Sequence, residues 1–280
     1  MEFGILYHPR KPESLPLAQA ISRWLREQDH TTWQASNWDT AEVHRRTAVS
    51  HLLIVLGGDG SILRAARCAV PYNTPILGVN LGRIGFLSEA EPTQWKQVLQ
   101  RFLTGDYWLE SRLMLKGAVQ RNGTQLNNYM ALNEFVISGT RARVVHLELS
   151  VDGDHITTYT ADGLIAATPT GSTAYSMAAG GPLLPPALRN FLLLPVAPYL
   201  SLDRPLVLHE EAKATIRVTS DQEAYLMADG QEAILLQNHD HVIITKHEHV
   251  AQFVRVGQTS YFYRRLLQRL GFERSDGSAL

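Results

Sequence analysis

The chain has 280 residues, enough to bury one large core or two ordinary ones. Apolar residues make up 45% and charged residues 19%, a globular composition that excludes a disordered chain, and the apolar runs are too short to cross a bilayer as helices. A net charge of −1 gives no global attraction to nucleic acid or anionic membrane, so any polyanion has to be held by a local site.

In chain order, Glu2 to His8 is a short apolar strand candidate and Pro16 to Gln28 has helical spacing through Leu17, Ile21, Trp24 and Leu25. Leu52 to Leu56 reads as a buried strand ending in glycines, and Ser61 to Ala69 as the helix after it. A further strand, Thr74 to Val79, leads to the loop NLGRIGF, and Pro92 to Leu103 is again helical. Strands alternating with helices imply a parallel sheet that binds ligands at the carboxyl ends of its strands, so the N-terminal lobe is expected to be α/β. From about Glu110 the texture changes to strand-like segments: LMLKGAVQ, YMALNEFVIS, VVHLELSV, HITTYT, ATIRVTS and HVIITKHEH. Asp152-Gly153 between two alternating runs signals a tight hairpin. The expected division is an α/β domain over residues 1–109 and an all-β, nucleotide-binding domain over 110–257. The tail Tyr261 to Leu270 has the apolar stripe of a packed terminal helix.

The stretch Asp162 to Pro182, DGLIAATPTGSTAYSMAAGGP, has an order that neither a core element nor a plain linker requires. Its residues are small or hydroxylic, its glycines allow close backbone approach, and Tyr175 is the one aromatic able to lie against a flat ring. The competing reading is a surface turn rich in Gly, Ser and Thr.

The second candidate is Gly57-Gly58-Asp59-Gly60, where the strand Leu52 to Leu56 meets a helix. A glycine turn at a helix N-terminus offers N–H groups to phosphate oxygens, although the spacing fits neither the dinucleotide fingerprint nor the P-loop. A carboxylate inside such a turn repels bare phosphate, so Asp59 is expected to meet a hydroxyl, a divalent cation, or both. That combination describes phosphoryl transfer onto an alcohol. Taken alone, the turn also fits a simple helix cap. Asn133-Glu134 can hold ribose hydroxyls or mark an ordinary strand end, and Phe86 can be a wall for a base or a core anchor. Arg64 fits a phosphate contact as well as a solvated helix arginine, and His146 on an alternating strand fits a structural role. The pairs His239, His241 and His247, His249 flank a strand at a spacing that does not support zinc, so no protein metal ligands are assigned. Ser172 lacks the setting of a hydrolase nucleophile.

On these residues the chain resembles the NAD kinase family, which phosphorylates NAD to NADP with ATP or polyphosphate. GGDG at Gly57 to Gly60, NLGRIGFL at Asn80 to Leu87, Asn133-Glu134 and the Asp162 to Pro182 stretch match in the family's order, joined by SLDRPLVL at Ser201 to Leu208 and ADGQ at Ala228 to Gln231. The resemblance implies a two-domain fold, an α/β lobe plus an all-β lobe, with residues 258–280 returning to the first. It implies Asp59 as proton acceptor beside the 2′-hydroxyl of the adenosine ribose, with Gly60 and Arg64 nearby. Phe86, Asn133, Glu134, His146, Asp162, Thr170, Thr173, Ala174, Tyr175, Ser176, Met177, Ala178 and Gln231 would form the nucleotide-binding set. It also implies a divalent cation, with magnesium the expected ion, and a homodimer or homotetramer whose subunits share sites. Ser61, Tyr199, Ala228 and Thr160 depart from the commonest residues at their positions, which bears on the choice between NAD and NADH.

Two other functions compete on sequence: a lipid kinase sharing the GGDG turn, which predicts a greasy cleft, and a nucleotide-sensing module, which has no use for Asp59. The single cysteine, Cys68, suits a reducing cytoplasm, and the opening MEFGILYHPRKPE argues against a secretory signal. Small nucleotides, not nucleic acid or membrane, are the expected partners.

Overall fold

A computed structural model describes residues 1–82, 85–140, 143–220, 222–258 and 262–269. The chain alternates β1 (Glu2–Tyr7), α1 (Ser14–Arg26), β2 (Thr31–Ser36), α2 (Thr40–Thr47), β3 (Leu52–Gly57), α3 (Asp59–Ala69), β4 (Ile76–Asn80) and α4 (Trp95–Leu103) before β5 (Trp108–Arg112). Strands then dominate: β6 (Leu115–Arg121), β7 (Thr124–Ala131), β8 (Glu134–Gly139), β9 (Val145–Val151), β10 (Asp154–Ala161) and β11 (Gly163–Ala167). After the short α5 (Tyr175–Ala178) come β12 (Asn190–Val196), β13 (Leu206–His209), β14 (Ala214–Val218), β15 (Ala224–Ala228), β16 (Glu232–Leu236) and β17 (His241–Lys246). β18 (Ala251–Arg255) and α6 (Phe262–Arg269) close the described chain. No helix among the described residues is long and apolar enough to cross a membrane.

The chain divides into two compact units, one of residues 1–111 with 251–280 and one of residues 112–250. In the first, the strands run in the order β2-β1-β3-β4-β18-β5, with β1, β2, β3, β4 and β18 paired in parallel. Every residue of β3 is buried, as expected of a central strand covered on both faces. Apolar spacing on α1 and α4 sets Ala18, Ile21 and Leu25, and Val98, Leu99 and Phe102, into one core with Ile5, Ile54 and Leu77. Residues from Ala251 onward re-enter this unit because β18 pairs with β4. Of the expected returning tail, residues 259–261 and 270–280 lie outside the described residues.

The second unit consists of two antiparallel sheets, β10-β9-β14-β17-β6-β7 and β13-β12-β11-β8-β15-β16. Their facing sides share one core, with Leu147, Leu149, Ile216 and Val242 from the first sheet and Phe135, Ile137, Leu164 and Leu226 from the second. The second sheet is buried on its other face too, where Val136, Ile165 and Leu192 pack with Leu184. Asp152 and Gly153 have φ of 53° and 97°, the double positive turn that closes the β9–β10 hairpin.

Candidate active site

In the first unit, β3 ends at Gly57 and α3 begins at Asp59, two residues earlier than the sequence pattern suggests. Gly58 is extended at the cap, so the Asp59 carboxylate stands in the first helical turn, where the helix dipole favours negative charge. Gly57 is required there, since a Cβ would come within 2.3 Å of Ser61 Oγ. The carboxylate is held firmly. Asp59 Oδ2 accepts the Phe86 N–H at 3.0 Å and an Arg269 Nη1 donor at 3.0 Å, whereas Oδ1, among the described residues, accepts only the Leu87 N–H, at 3.1 Å. Gly85 lies so close that a Cβ would meet Oδ1 at 2.1 Å. Arg269 also lies over the Phe86 ring, 4.6 Å from its centroid.

The loop that supplies those N–H groups is anchored by buried arginine chemistry. Arg255, on β18, donates to the Leu87 and Ser88 carbonyls and pairs with Glu89 at 3.3 Å and Glu110 at 2.8 Å. Glu89 further accepts the N–H groups of Val256 and Gly257 and pairs with Arg265.

In the second unit, the expected continuous strand YMALNEFVIS is two strands, β7 and β8, in different sheets. The break falls at Leu132-Asn133, and the reason is Asp229. Its carboxylate accepts the N–H groups of Leu132, Asn133 and Glu134 at 3.1, 2.8 and 3.2 Å, satisfying a corner that has no ladder partner. Asp229 manages this from the β15–β16 turn with φ of 48°, a left-handed conformation that aspartate tolerates. The corner is packed from the other side by the small-residue stretch. Thr168 donates its N–H to the Asn133 carbonyl at 2.8 Å, and a Cβ on Gly171 would meet that same oxygen at 2.1 Å. Burial, and then the charge of Asp229, pushes the Glu134 carboxyl up to about 8, so the group is a neutral acid at pH 7. Its Oε2 is buried without a hydrogen-bond partner.

The chain matches the ATP-NAD kinase N-terminal domain over residues 25–107 and the ATP-NAD kinase C-terminal domain over residues 132–256. It is 37% identical over 268 residues to the NAD kinase of Chloroflexus aurantiacus, covering 95% of this chain and 97% of that one. This chain belongs to the NAD kinase family. The NAD kinase of Moorella thermoacetica is 42% identical over 228 residues, covering 80% of this chain and 73% of that one. Among solved structures, yeast NADH kinase complexed with NADH superposes with a TM-score of 0.80 at 24% identity, covering all of this chain and 89% of that one. An NAD kinase from Archaeoglobus fulgidus in complex with ATP gives 0.76 at 24% identity, covering 98% of this chain and 100% of that one. Both likenesses speak for the fold, an α/β lobe with a parallel sheet followed by an antiparallel all-β region.

Within this family member the expected site residues fall into three groups. Asp59, Gly60 and Phe86 gather at the start of α3, with the buried Phe86 ring beneath Arg269. Arg64, half-buried farther along α3, lies 5.6 Å from the Trp38 ring. In the second unit, Asn133, Glu134 and the start of the small-residue stretch are drawn together, with Gln231 on the turn that carries Asp229. Within that stretch Thr170, Thr173 and Ser176 are buried. Thr170 Oγ1 accepts from the buried Arg112, and Thr173 donates to the Thr170 carbonyl. Tyr175 and Ala178 face solvent, while Ala174 and Met177 are half-buried. Asp162 bridges β10 and β11, its N–H on Val196 and its carbonyl accepting from Gly139. His146 stands apart on the first of the two sheets, where it meets Thr160 at 3.1 Å.

Sequence reasoning passed over Asp229, Arg255, Glu89 and Arg269. Asp229 had a signal, an Asp-Gly turn in the ADGQ segment. The three others act across long sequence separations and leave no local pattern.

Proposed function

We propose that the chain is an NAD kinase that transfers a phosphoryl group from ATP or polyphosphate to the 2′-hydroxyl of the adenosine ribose of NAD, giving NADP. The observation that supports it most is the Asp59 carboxylate, fixed in the first turn of α3 at the carboxyl end of β3 by two backbone N–H groups. A carboxylate is too weak a base to form a free alkoxide at neutral pH, so Asp59 accepts the hydroxyl proton late, as the oxygen attacks a loose phosphoryl group. Among the described residues Oδ2 has two donors and Oδ1 one, so Oδ1 is the oxygen left to take that proton. Gly85 keeps a side chain out of that position.

The cation reads as part of the substrate. The Asp59 carboxylate already accepts N–H groups through both oxygens, which leaves it room for at most a shared part in holding an ion. That donor set suits magnesium arriving on the donor's phosphates, since the ion is usually held by one or two carboxylates plus substrate phosphates. Bound there, it would neutralise the donor's oxygens as charge develops.

In this reading Asn133, neutral Glu134, Asp162, Gln231 and the residues Thr170 and Thr173 to Ala178 form the dinucleotide-binding set. Gly60, Phe86 and His146 complete it, and Arg64, farther along α3, stands as a phosphate contact. The fixed corner at Asn133 and the exposed Tyr175 ring support that assignment. A cytoplasmic homodimer or homotetramer with shared sites belongs to the same proposal.

The test is NADP formation from NAD, ATP and Mg²⁺, read with an NADP-specific dehydrogenase, comparing wild type with Asp59→Asn. The substitution keeps the side chain's shape and removes the acceptor. Turnover is expected to fall at least about 100-fold, the usual worth of a general base, with NAD affinity changed by no more than about threefold. A variant of near wild-type rate would refute the role.

A further inference from the structure

The carboxyl ends of β1 and β2 carry a group of cations around one tryptophan. His8, Arg10 and Lys11 follow β1, Trp38 lies just beyond β2, and Arg64 lies on α3. The Arg10 and Arg64 guanidinium carbons stand 4.4 and 5.6 Å from the Trp38 ring centroid, and the His8 ring meets it edge-on at 6.0 Å. Lys11 reaches the carbonyl of Leu81 at the end of β4, and a Cβ on Gly57 would lie 3.9 Å from His8 Cδ2. The group therefore borders the glycine turn that carries Asp59.

No ion pair compensates Arg10, Lys11 or Arg64 among the described residues. Asp39, next to Trp38, is committed to capping α2 through the Glu42 N–H at 3.2 Å. Burial, and then the positive charges of Lys11, Arg64 and Arg10, lower the pKa of His8. Beside them Asn37 is buried with both amide atoms lacking a partner. Like charges held together without a counter-charge repel, and an anion relieves that cost. Set against the Trp38 ring, the two guanidinium groups keep N–H donors for bidentate contact with phosphate oxygens.

We propose that Arg10, Lys11 and Arg64, ranged around Trp38, are the docking site for the phosphate chain of the phosphoryl donor, a triphosphate or a longer linear polyphosphate. Three cations beside the α3 N-terminus suit the several negative charges of such a chain better than the two of a dinucleotide pyrophosphate. The proposal deepens the NAD kinase reading and rests on it for the anion's purpose, not for its binding.

Calorimetric and tryptophan-fluorescence titrations of the full chain with inorganic tripolyphosphate, ATP and adenosine, without NAD, test the site. Tripolyphosphate and ATP are expected to bind and to perturb an emission that Trp38→Phe removes, and adenosine to leave that emission unchanged. Arg10→Gln and Lys11→Gln should each weaken tripolyphosphate binding and raise the KM for ATP about tenfold, with the KM for NAD within about twofold of wild type. Arg23→Gln, near the far end of α1, should change none of these. Competition between ATP and long-chain polyphosphate for one site supports a shared phosphate-chain dock. Unchanged tripolyphosphate affinity in Arg10→Gln and Lys11→Gln, an equal loss in Arg23→Gln, or a signal that survives Trp38→Phe overturns it. Adenosine binding that the same substitutions abolish also overturns it. Should the chain make no NADP while tripolyphosphate still binds and the two variants lose it, the docking site stands and the kinase reading falls.

Discussion

Two neighbouring carboxyl groups at the β7–β8 corner have opposite electrostatic fates. Asp229 is surrounded by three N–H donors, while Glu134 is buried with one oxygen unpartnered and is raised from 4.5 to about 8. The unfolded chain releases the Glu134 proton near 4.5 and the folded chain keeps it until about 8. Folded stability from this group is therefore full below pH 4.5 and declines as pH rises through 8. Glu134→Gln, which keeps the neutral shape, should gain stability relative to wild type between pH 5 and pH 9, read as melting temperature across that range. Parallel curves for the two proteins would contradict the neutral acid. At this scale Asp59 was legible because an acid inside a glycine turn is chemically odd. Asp229 was not, because an Asp-Gly turn is ordinary until one knows that three N–H groups of another strand pair converge on it.

The returning strand β18 matters to the Asp59 loop through a single side chain. Arg255 is buried between Glu89 and Glu110 and holds the Leu87 and Ser88 carbonyls. Arg255→Ala would remove a buried guanidinium that pairs with both Glu89 and Glu110, leaving Glu89 to Arg265 and the two N–H groups, a loss of about 3–5 kcal/mol in denaturant unfolding. A loss under about 1 kcal/mol would show the pairs to be ornamental. The helices α1, α3 and α4 were legible because each buries a regular apolar stripe. β2 and α2 were not. α2 buries only Val43 and Thr47, too few to make a stripe. The β7–β8 break was hidden for a different reason, since Leu132-Asn133 continues an apolar alternation that only the distant Asp229 interrupts.

The first unit is discontinuous: the second unit, which starts at the last residue of β5, is inserted before β18, a neighbour of β5 in the sheet. The change from alternating helices to successive strands falls near the insertion's start, whereas its end depends on a single strand with no distinctive composition. A chain stopped after Val250 lacks β18, Arg255 and α6. Calorimetry should show the first unit's transition lost, with the antiparallel unit, whose core draws only on residues 113–244, still melting cooperatively. An unchanged thermogram would mean that the returning segment is dispensable.

Discontinuity also imposes an order on biosynthesis. On the ribosome, Asp59 emerges early, but Arg255, which secures the Asp59 loop, and Arg269, which pairs with the carboxylate, emerge only after the entire inserted unit has been made. The nascent parallel sheet must wait with a gap beside β4 until Ala251–Arg255 arrives. The Asp59 corner is thus among the last parts of the molecule to set, and a translation product truncated within the inserted unit carries Asp59 without the groups that fix it.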